Sequence, residues 1–164
     1  MHITGRYRQF TFLATSLIAV LAYLLGMHHE GGAGAPKWHA LIYQWCHCNV
    51  WHLIANIYCV WMIARSSYSV GARQVVYAYA ISIVMVFLSV PTQGMSGIIY
   101  ALLGMLSWQS ARIRTYHLWM AGFLLLGLIL PKVNFTLHLL CYAAGLISET
   151  FHTPWRMRLE KYWS

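Results

Sequence analysis

Six apolar runs, each bounded by Arg, Lys, Pro or Gly, follow one another along the chain with short polar connections between them. They cover roughly Phe10 to Leu25, His39 to Ala64, Val75 to Pro91, Ser96 to Trp108, Tyr116 to Leu130 and Phe135 to Ser148. Runs of this length and apolarity predict membrane helices. The second opens with a half-polar approach to about Asn49, so its lipid-crossing part is shorter. Together the six runs predict an all-α polytopic membrane protein, one domain over residues 1–164, with no soluble appendage. The end of the chain, Thr153 to Ser164, mixes Trp155, Tyr162 and Trp163 with cations and reads as an interfacial tail.

Composition agrees with the pattern. Hydrophobic residues make up 60% and charged residues 9% of the chain, and the mean hydropathy is +0.57, which excludes a soluble domain of this size. The formal charge of +8 then needs a location. With the amino terminus inside, Arg6, Arg8, Arg65, Arg73, Arg112, Arg114, Arg156, Arg158 and Lys161 are cytoplasmic, and only Lys37 and Lys132 lie outside. Cationic loops resist translocation, so both termini are expected in the cytoplasm, and the bacterial inner membrane is the expected location. The cations mark topology and contact with anionic headgroups; no nucleic-acid stripe forms on a soluble face. The first run is long for a signal peptide, and Pro36 would follow the small residues Ala33-Gly34-Ala35, so it reads as a helix that is retained. Cys46, Cys48, Cys59 and Cys141 read as small buried hydrophobes rather than disulfide partners.

A rise of about 1.5 Å per helical residue turns sequence distance from the cationic anchors into height above the cytoplasmic edge. Counted from Gln109, Ser96 stands about 20 Å up; counted from Glu149, His138 stands about 16 Å up. Counted from Arg65, His52 and Asn56 stand about 20 and 14 Å up. The four share one layer, which unrelated polar residues have no reason to do. The fourth run covers only about 20 Å of a core about 30 Å thick, so its amino end is submerged. Thr92 to Met95 is then irregular backbone at membrane depth, tolerable only if it is buried in protein or lines a watery cavity.

Ser96 sits in Gly94-Met95-Ser96-Gly97, a hydroxyl framed by glycines on a turn into a helix, which suits a nucleophile. Close helix packing by Gly97 and Gly104, seven apart on one face, is the other reading of the same stretch. His138, flanked by Leu137, Leu139 and Leu140, is an ionisable group expensive enough in lipid to be functional. A neutral imidazole there can take the serine proton and return it to a leaving amine. The chain has no Asp, and Glu30, Glu149 and Glu160 lie at or beyond the membrane edges, so a Ser96–His138 pair must be a dyad. Tyr100, one turn below Ser96, can orient the imidazole by stacking, or serve as ordinary aromatic packing. His52 and Asn56, at i and i+4, point the same way and with the Ser96 amide would suit an oxyanion; each also fits an interhelical hydrogen bond. His47 is expected to brace the outer loop. His2, His117 and His152 read as surface or interfacial.

A metal site is disfavoured. His28, His29, Glu30, His39, Cys46, His47 and Cys48 cluster in sequence, but three consecutive residues do not converge from a helix, and neither Cys-x-x-Cys nor His-Glu-x-x-His spacing occurs. No cofactor is expected.

Taken together, His47-x4-His52-x3-Asn56, Gly94-Met95-Ser96-Gly97 with Tyr100 and Gly104, and His138 with Gly145 resemble the rhomboid intramembrane serine proteases over about two-thirds of the chain. The resemblance implies a six-transmembrane-helix rhomboid fold, Ser96 as nucleophile, His138 as base, and His52, Asn56 and the Ser96 amide around the oxyanion. It implies membrane-anchored protein substrates, cut near the outer edge of a transmembrane segment at small residues. Two departures stand out. Cys141 replaces the glycine usual three residues after the histidine, which allows a slightly wider Ser96–His138 approach. The outer loop from about Met27 to Trp38 is short and Gly-rich and lacks the familiar Trp-Arg pair. A pseudoprotease that binds membrane clients predicts loss of Ser or His, and both are present. A small transporter predicts polar residues at several depths, and here they share one layer.

Overall fold

The computed structural model describes residues 3–130 and 133–151. The expected cations Lys132, Arg156, Arg158 and Lys161, the tail from Thr153, and His2 and His152 lie outside the described residues, as do the side chains of Arg6 and Arg8. Six α-helices are described: α1 (Ile3–Leu24), α2 (Val50–Arg65), α3 (Ala72–Val86), α4 (Ser96–Leu106), α5 (Ile113–Ile129) and α6 (Phe135–Thr150). Short 3₁₀ turns cover Lys37–Leu41 and Ser107–Gln109. Each expected run overlaps one of the helices, and α4 alone lies wholly inside its run.

The uncharged sequence of α4 is apolar on every side, and a helix of that kind belongs in the middle. It is buried through Gly97, Ile99, Ala101, Leu102, Gly104, Met105 and Leu106, and it meets α2, α3 and above all α6. Glycines set that last contact. A Cβ on Gly145 would run into the carbonyl oxygen of Ala101, and one on Gly104 into the carbonyl oxygen of Tyr142, so the two backbones touch. The helices run parallel: the Tyr100 ring faces His138 near their beginnings, and Trp108 Nε1 donates to Leu146 O at 3.0 Å near their ends. Gly97 does not share the partner of Gly104. It faces α3, where a Cβ would strike Ser82 Oγ, because a different neighbour flanks α4 at that height. Arg73 at the start of α3 grips Glu149 at the end of α6 through bonds of 2.8 and 3.1 Å.

Several boundaries differ from expectation for identifiable reasons. The stretch from His39 to Asn49 is not α-helical. Asn49 Oδ1 accepts the His52 amide at 2.9 Å and caps α2, which therefore begins at Val50. The non-helical stretch is nonetheless packed inside the bundle, with Tyr43, Gln44, Cys46 and His47 wholly buried. Helix α3 ends at Val86 rather than Pro91; Ser89 Oγ donates to Val86 O, and Pro91 disfavours helical backbone before it. Two cysteines also differ: Cys46 and Cys141 are buried, but Cys48 and Cys59 are exposed, and all four are free thiols. His117, expected as surface or interfacial, is half-buried, and its Nδ1 pairs with Tyr142 Oη at 2.7 Å between α5 and α6.

Among the described residues no helix is both long and apolar enough to cross a membrane by itself. Helices α2 to α6 have 11 to 17 residues, or about 17–26 Å. Irregular backbone over 42–49 and 87–95 replaces part of the expected helix, with Tyr43, Gln44, Cys46, His47, Ser89, Gln93 and Met95 buried along it. The outer faces are apolar: Leu17 and Leu21 of α1, Trp51 and Tyr58 of α2, Val76 and Val84 of α3, and Leu118, Trp119, Leu128 and Ile129 of α5 are all exposed.

The backbone contact between α4 and α6 leads to a stability prediction. Gly104→Val and Gly145→Val should each cost about 1–3 kcal/mol by overpacking, whereas Gly122→Val, with no atom within 4 Å of its Cβ, should cost little. Thermal unfolding of the three variants checks this; equal midpoints would show that the contact yields.

Candidate active site

The segment entering α4 is held on three sides. Gly31 and Thr92 exchange backbone hydrogen bonds of 2.9 and 2.8 Å, and Ala33 N–H donates to Ser89 O at 3.0 Å, so the loop after α1 lies along it. From beneath, Tyr43 O accepts the Gly94 N–H at 2.9 Å, while the Tyr43 hydroxyl bonds Ser82 of α3. A Cβ on Gly31 would lie 2.7 Å from the Tyr43 ring, so this packing requires glycine. The third side is α2. Gly94 has φ +106°, in the left-handed region, and a Cβ there would lie 2.7 Å from His52 Cε1 and 3.2 Å from Asn56 Nδ2. Two separate constraints, dihedral and steric, thus select glycine at 94.

The tight turn delivers Ser96, part-buried, to the first turn of α4, where backbone N–H groups lack helical partners. Tyr100 follows one turn below, and its ring stacks on His138 with centroids 4.2 Å apart and planes 16° apart. His138 is therefore alongside the turn of α4 that carries Ser96. The structure has no Ser96–His138 hydrogen bond, and His138 Nδ1 is buried without a partner, about 4.0 Å from where a Cβ on Gly127 would sit. Neither of the two described carboxylates bonds His138: Glu149 holds Arg73 at the far end of α6, and Glu30 lines the cavity that also carries His52.

On α2, Asn56 is buried and donates one amide hydrogen to His52 O at 3.0 Å, which leaves the other. His52 Nδ1 faces Cys48 Sγ at 3.5 Å, and that sulfur accepts from Asn49 Nδ2 at 3.3 Å. His47 is wholly buried; its Nδ1 bonds Trp45 O at 3.1 Å and its ring meets His52 edge-on at 5.3 Å. A cavity of about 400 Å³ opens beside these groups, with His52, Cys48, Gln93, Val133 and Asn134 among its walls. In the 3₁₀ turn Lys37–Leu41, His39 Nδ1 bonds Glu30 O at 3.0 Å and its ring packs on His29 and Trp38. Among the described residues no three His, Cys, Asp or Glu side chains come together as metal ligands.

Two residues of the site were not anticipated. Asn134 Oδ1 accepts the Leu137 amide at 3.0 Å and caps α6, while Nδ2 donates to Val90 O at 3.0 Å and Ser89 Oγ at 3.3 Å. The helix bearing His138 is thereby stapled to the segment leading to Ser96. An asparagine just ahead of an apolar run was the available signal for the cap; the cross-links to 89 and 90 had none. Tyr43 lay in the half-polar approach to the second run, where nothing in the sequence distinguishes it.

A family model described as the Rhomboid domain matches residues 35–152. A search of curated proteins finds no match to the chain.

Asn134→Ala removes a helix cap and two cross-links from a buried position. A loss of about 2 kcal/mol is expected, readable as a lower unfolding midpoint; Asn134→Asp, which keeps the cap acceptor, should recover part of it.

Proposed function

We propose that this chain, which belongs to the rhomboid family, is an intramembrane serine endopeptidase that cuts membrane-anchored proteins in or near their transmembrane segments. Rhomboid-family proteins are integral membrane proteins. The apolar outer faces of α1, α2, α3 and α5 support placing this bundle in lipid, where exposed side chains of that kind need no cover. Buried irregular backbone between the helices suits membrane depth for the same reason. The distribution of Arg and Lys along the sequence supports cytoplasmic termini.

The observation that carries the catalytic reading is the Tyr100–His138 stack one turn below Ser96. It supports His138 as general base without a carboxylate, with the ring plane fixed by aromatic contact. Neutral His138 takes the Ser96 proton as Oγ attacks the scissile carbonyl carbon. Charge then develops on the carbonyl oxygen. The Ser96 N–H, the remaining Asn56 amide hydrogen and His52 Nε2–H are the donors available for it. The Cys48 contact favours that His52 tautomer: sulfur already accepting from Asn49 donates its own hydrogen to Nδ1, which leaves the ring proton on Nε2. His138 next protonates the leaving amine, and the acyl-enzyme is hydrolysed by water that the same imidazole deprotonates. The cavity beside His52 offers a path for both water and substrate. Serine–histidine contacts in unliganded sites commonly tighten only with substrate, so the missing bond is compatible with the role.

Ser96→Ala or His138→Ala should abolish cleavage of a reporter membrane substrate, and labelling of Ser96 by a fluorophosphonate probe should vanish with the first. Near wild-type turnover by either variant would sink the protease reading. Asn56→Ala and His52→Ala should each lower kcat by about 10²- to 10³-fold, with a smaller effect on KM. If both cleave at full rate, the oxyanion is held by backbone alone.

Water access can be tested separately. In a background lacking the native cysteines, a cysteine at position 96 should react with a small water-soluble thiol reagent added from outside. A cysteine at 103, on an apolar cavity with Ile99, Cys59 and Tyr116, should not react from either side. Equal labelling at both positions would indicate a continuous pore and favour a transporter.

A further inference from the structure

Gln93 precedes Gly94 in the loop, lines the cavity with His52 and Cys48, and is only 8% exposed. Its Oε1 is buried without a hydrogen-bond partner. Among the described residues its Nε2 makes no hydrogen bond either. Several neighbouring polar groups already have partners. Asn134 uses both ends of its amide, Thr92 exchanges both backbone bonds with Gly31, and His52 Nδ1 faces Cys48. The cavity wall thus retains one whole carboxamide with no internal role.

A carbonyl oxygen removed from water with no donor is destabilising, and folded proteins rarely keep one. Gln93 lines the cavity, so a rotation of its carboxamide toward that space lets a donor on an occupant satisfy the oxygen. We propose that Gln93 is a specificity-determining residue whose carboxamide reads a neutral hydrogen-bonding side chain, that of Ser, Thr or Asn, on the substrate near the cleaved bond. This rests on the endopeptidase reading above. The selection works through the unfilled acceptor: a substrate with an apolar isostere at that position leaves Oε1 unpaired in the complex. Such a mismatch is discriminated far more strongly than a missing methylene. Carboxylate side chains are disfavoured as well, because Glu30, the one charged residue lining the cavity, adds a like charge to its wall.

The test uses a reporter membrane substrate in which residues flanking the cut are changed one at a time between Thr and Val. Wild-type protein should prefer Thr at one position by about tenfold in kcat/KM. Gln93→Leu and Gln93→Met should each bring that ratio close to one. A ratio unchanged by both substitutions, or an equal loss for the Thr and Val substrates as expected if Gln93 held substrate backbone, overturns the proposal. Thermal unfolding separates specificity from structure: an amide without internal partners should be replaceable by Leu with the midpoint unchanged or raised, and a clear fall would make Gln93 a structural residue. Probe labelling of wild-type Ser96 distinguishes the two levels of failure. Labelled protein without a Thr preference defeats the specificity role alone, whereas unlabelled protein defeats the endopeptidase reading and this inference with it.

Discussion

The contact of α4 and α6, backbone against backbone at Gly104 and Gly145, is the constraint on which the remaining geometry depends. With side chains excluded at those two points, the helices approach closely enough for aromatic and imidazole rings one or two turns higher to stack face to face at 4.2 Å. Dispersion between packed backbones falls steeply with distance, and a gap of even 1 Å forfeits much of it. A wider crossing would separate Tyr100 from His138 and remove the contact that sets the plane of the imidazole. Cys141, fully buried on α6 between His138 and Gly145, fits inside this arrangement.

A second constraint comes from short helices. Because α4 begins only at Ser96 and α2 only at Val50, a large amount of irregular backbone is carried inside the bundle. Its polar groups must be satisfied without a ladder. Tyr43 and Asn134 do much of this from opposite sides, the first through its carbonyl and hydroxyl, the second through both ends of its amide. Gly31 closes the outer edge through Thr92. The loop that leads into Ser96 at the start of α4 is therefore held from several sides, as the nucleophilic role proposed for that residue requires.

The apolar runs made the six helices legible because burial on that scale leaves a signal in every residue. Shared depth drew attention to Ser96, His138, His52 and Asn56, and the structure gathers them around the beginning of α4. What was not legible has a common physical character. Asn49 ends the helical reading of its run through one side-chain bond, and Asn134 joins segments 44 and 45 residues apart. Gly97 and Gly104 share a helical face by periodicity but meet different neighbours, a fact of tertiary arrangement that spacing does not contain. Apolarity likewise overstated helix length: buried irregular stretches such as 42–49 have the composition of a helix core but not its backbone.

The upper part of the bundle departs from ordinary satisfaction of polar groups in a patterned way. Among the described residues five buried side-chain atoms lack partners: Gln44 Oε1, His47 Nε2, Gln93 Oε1 and His138 Nδ1 belong to the segments around the cavity or to the helix facing it, and Arg73 Nη1 lies at the other end. Each such group costs about 1–3 kcal/mol, a large sum against the marginal stability of a folded chain. The close backbone packing of α4 on α6 works against that cost. A site that must accept protons and donors from a substrate has to keep acceptors uncommitted in its resting state, so hydrogen-bonding capacity left unused there is a requirement of the chemistry proposed for it.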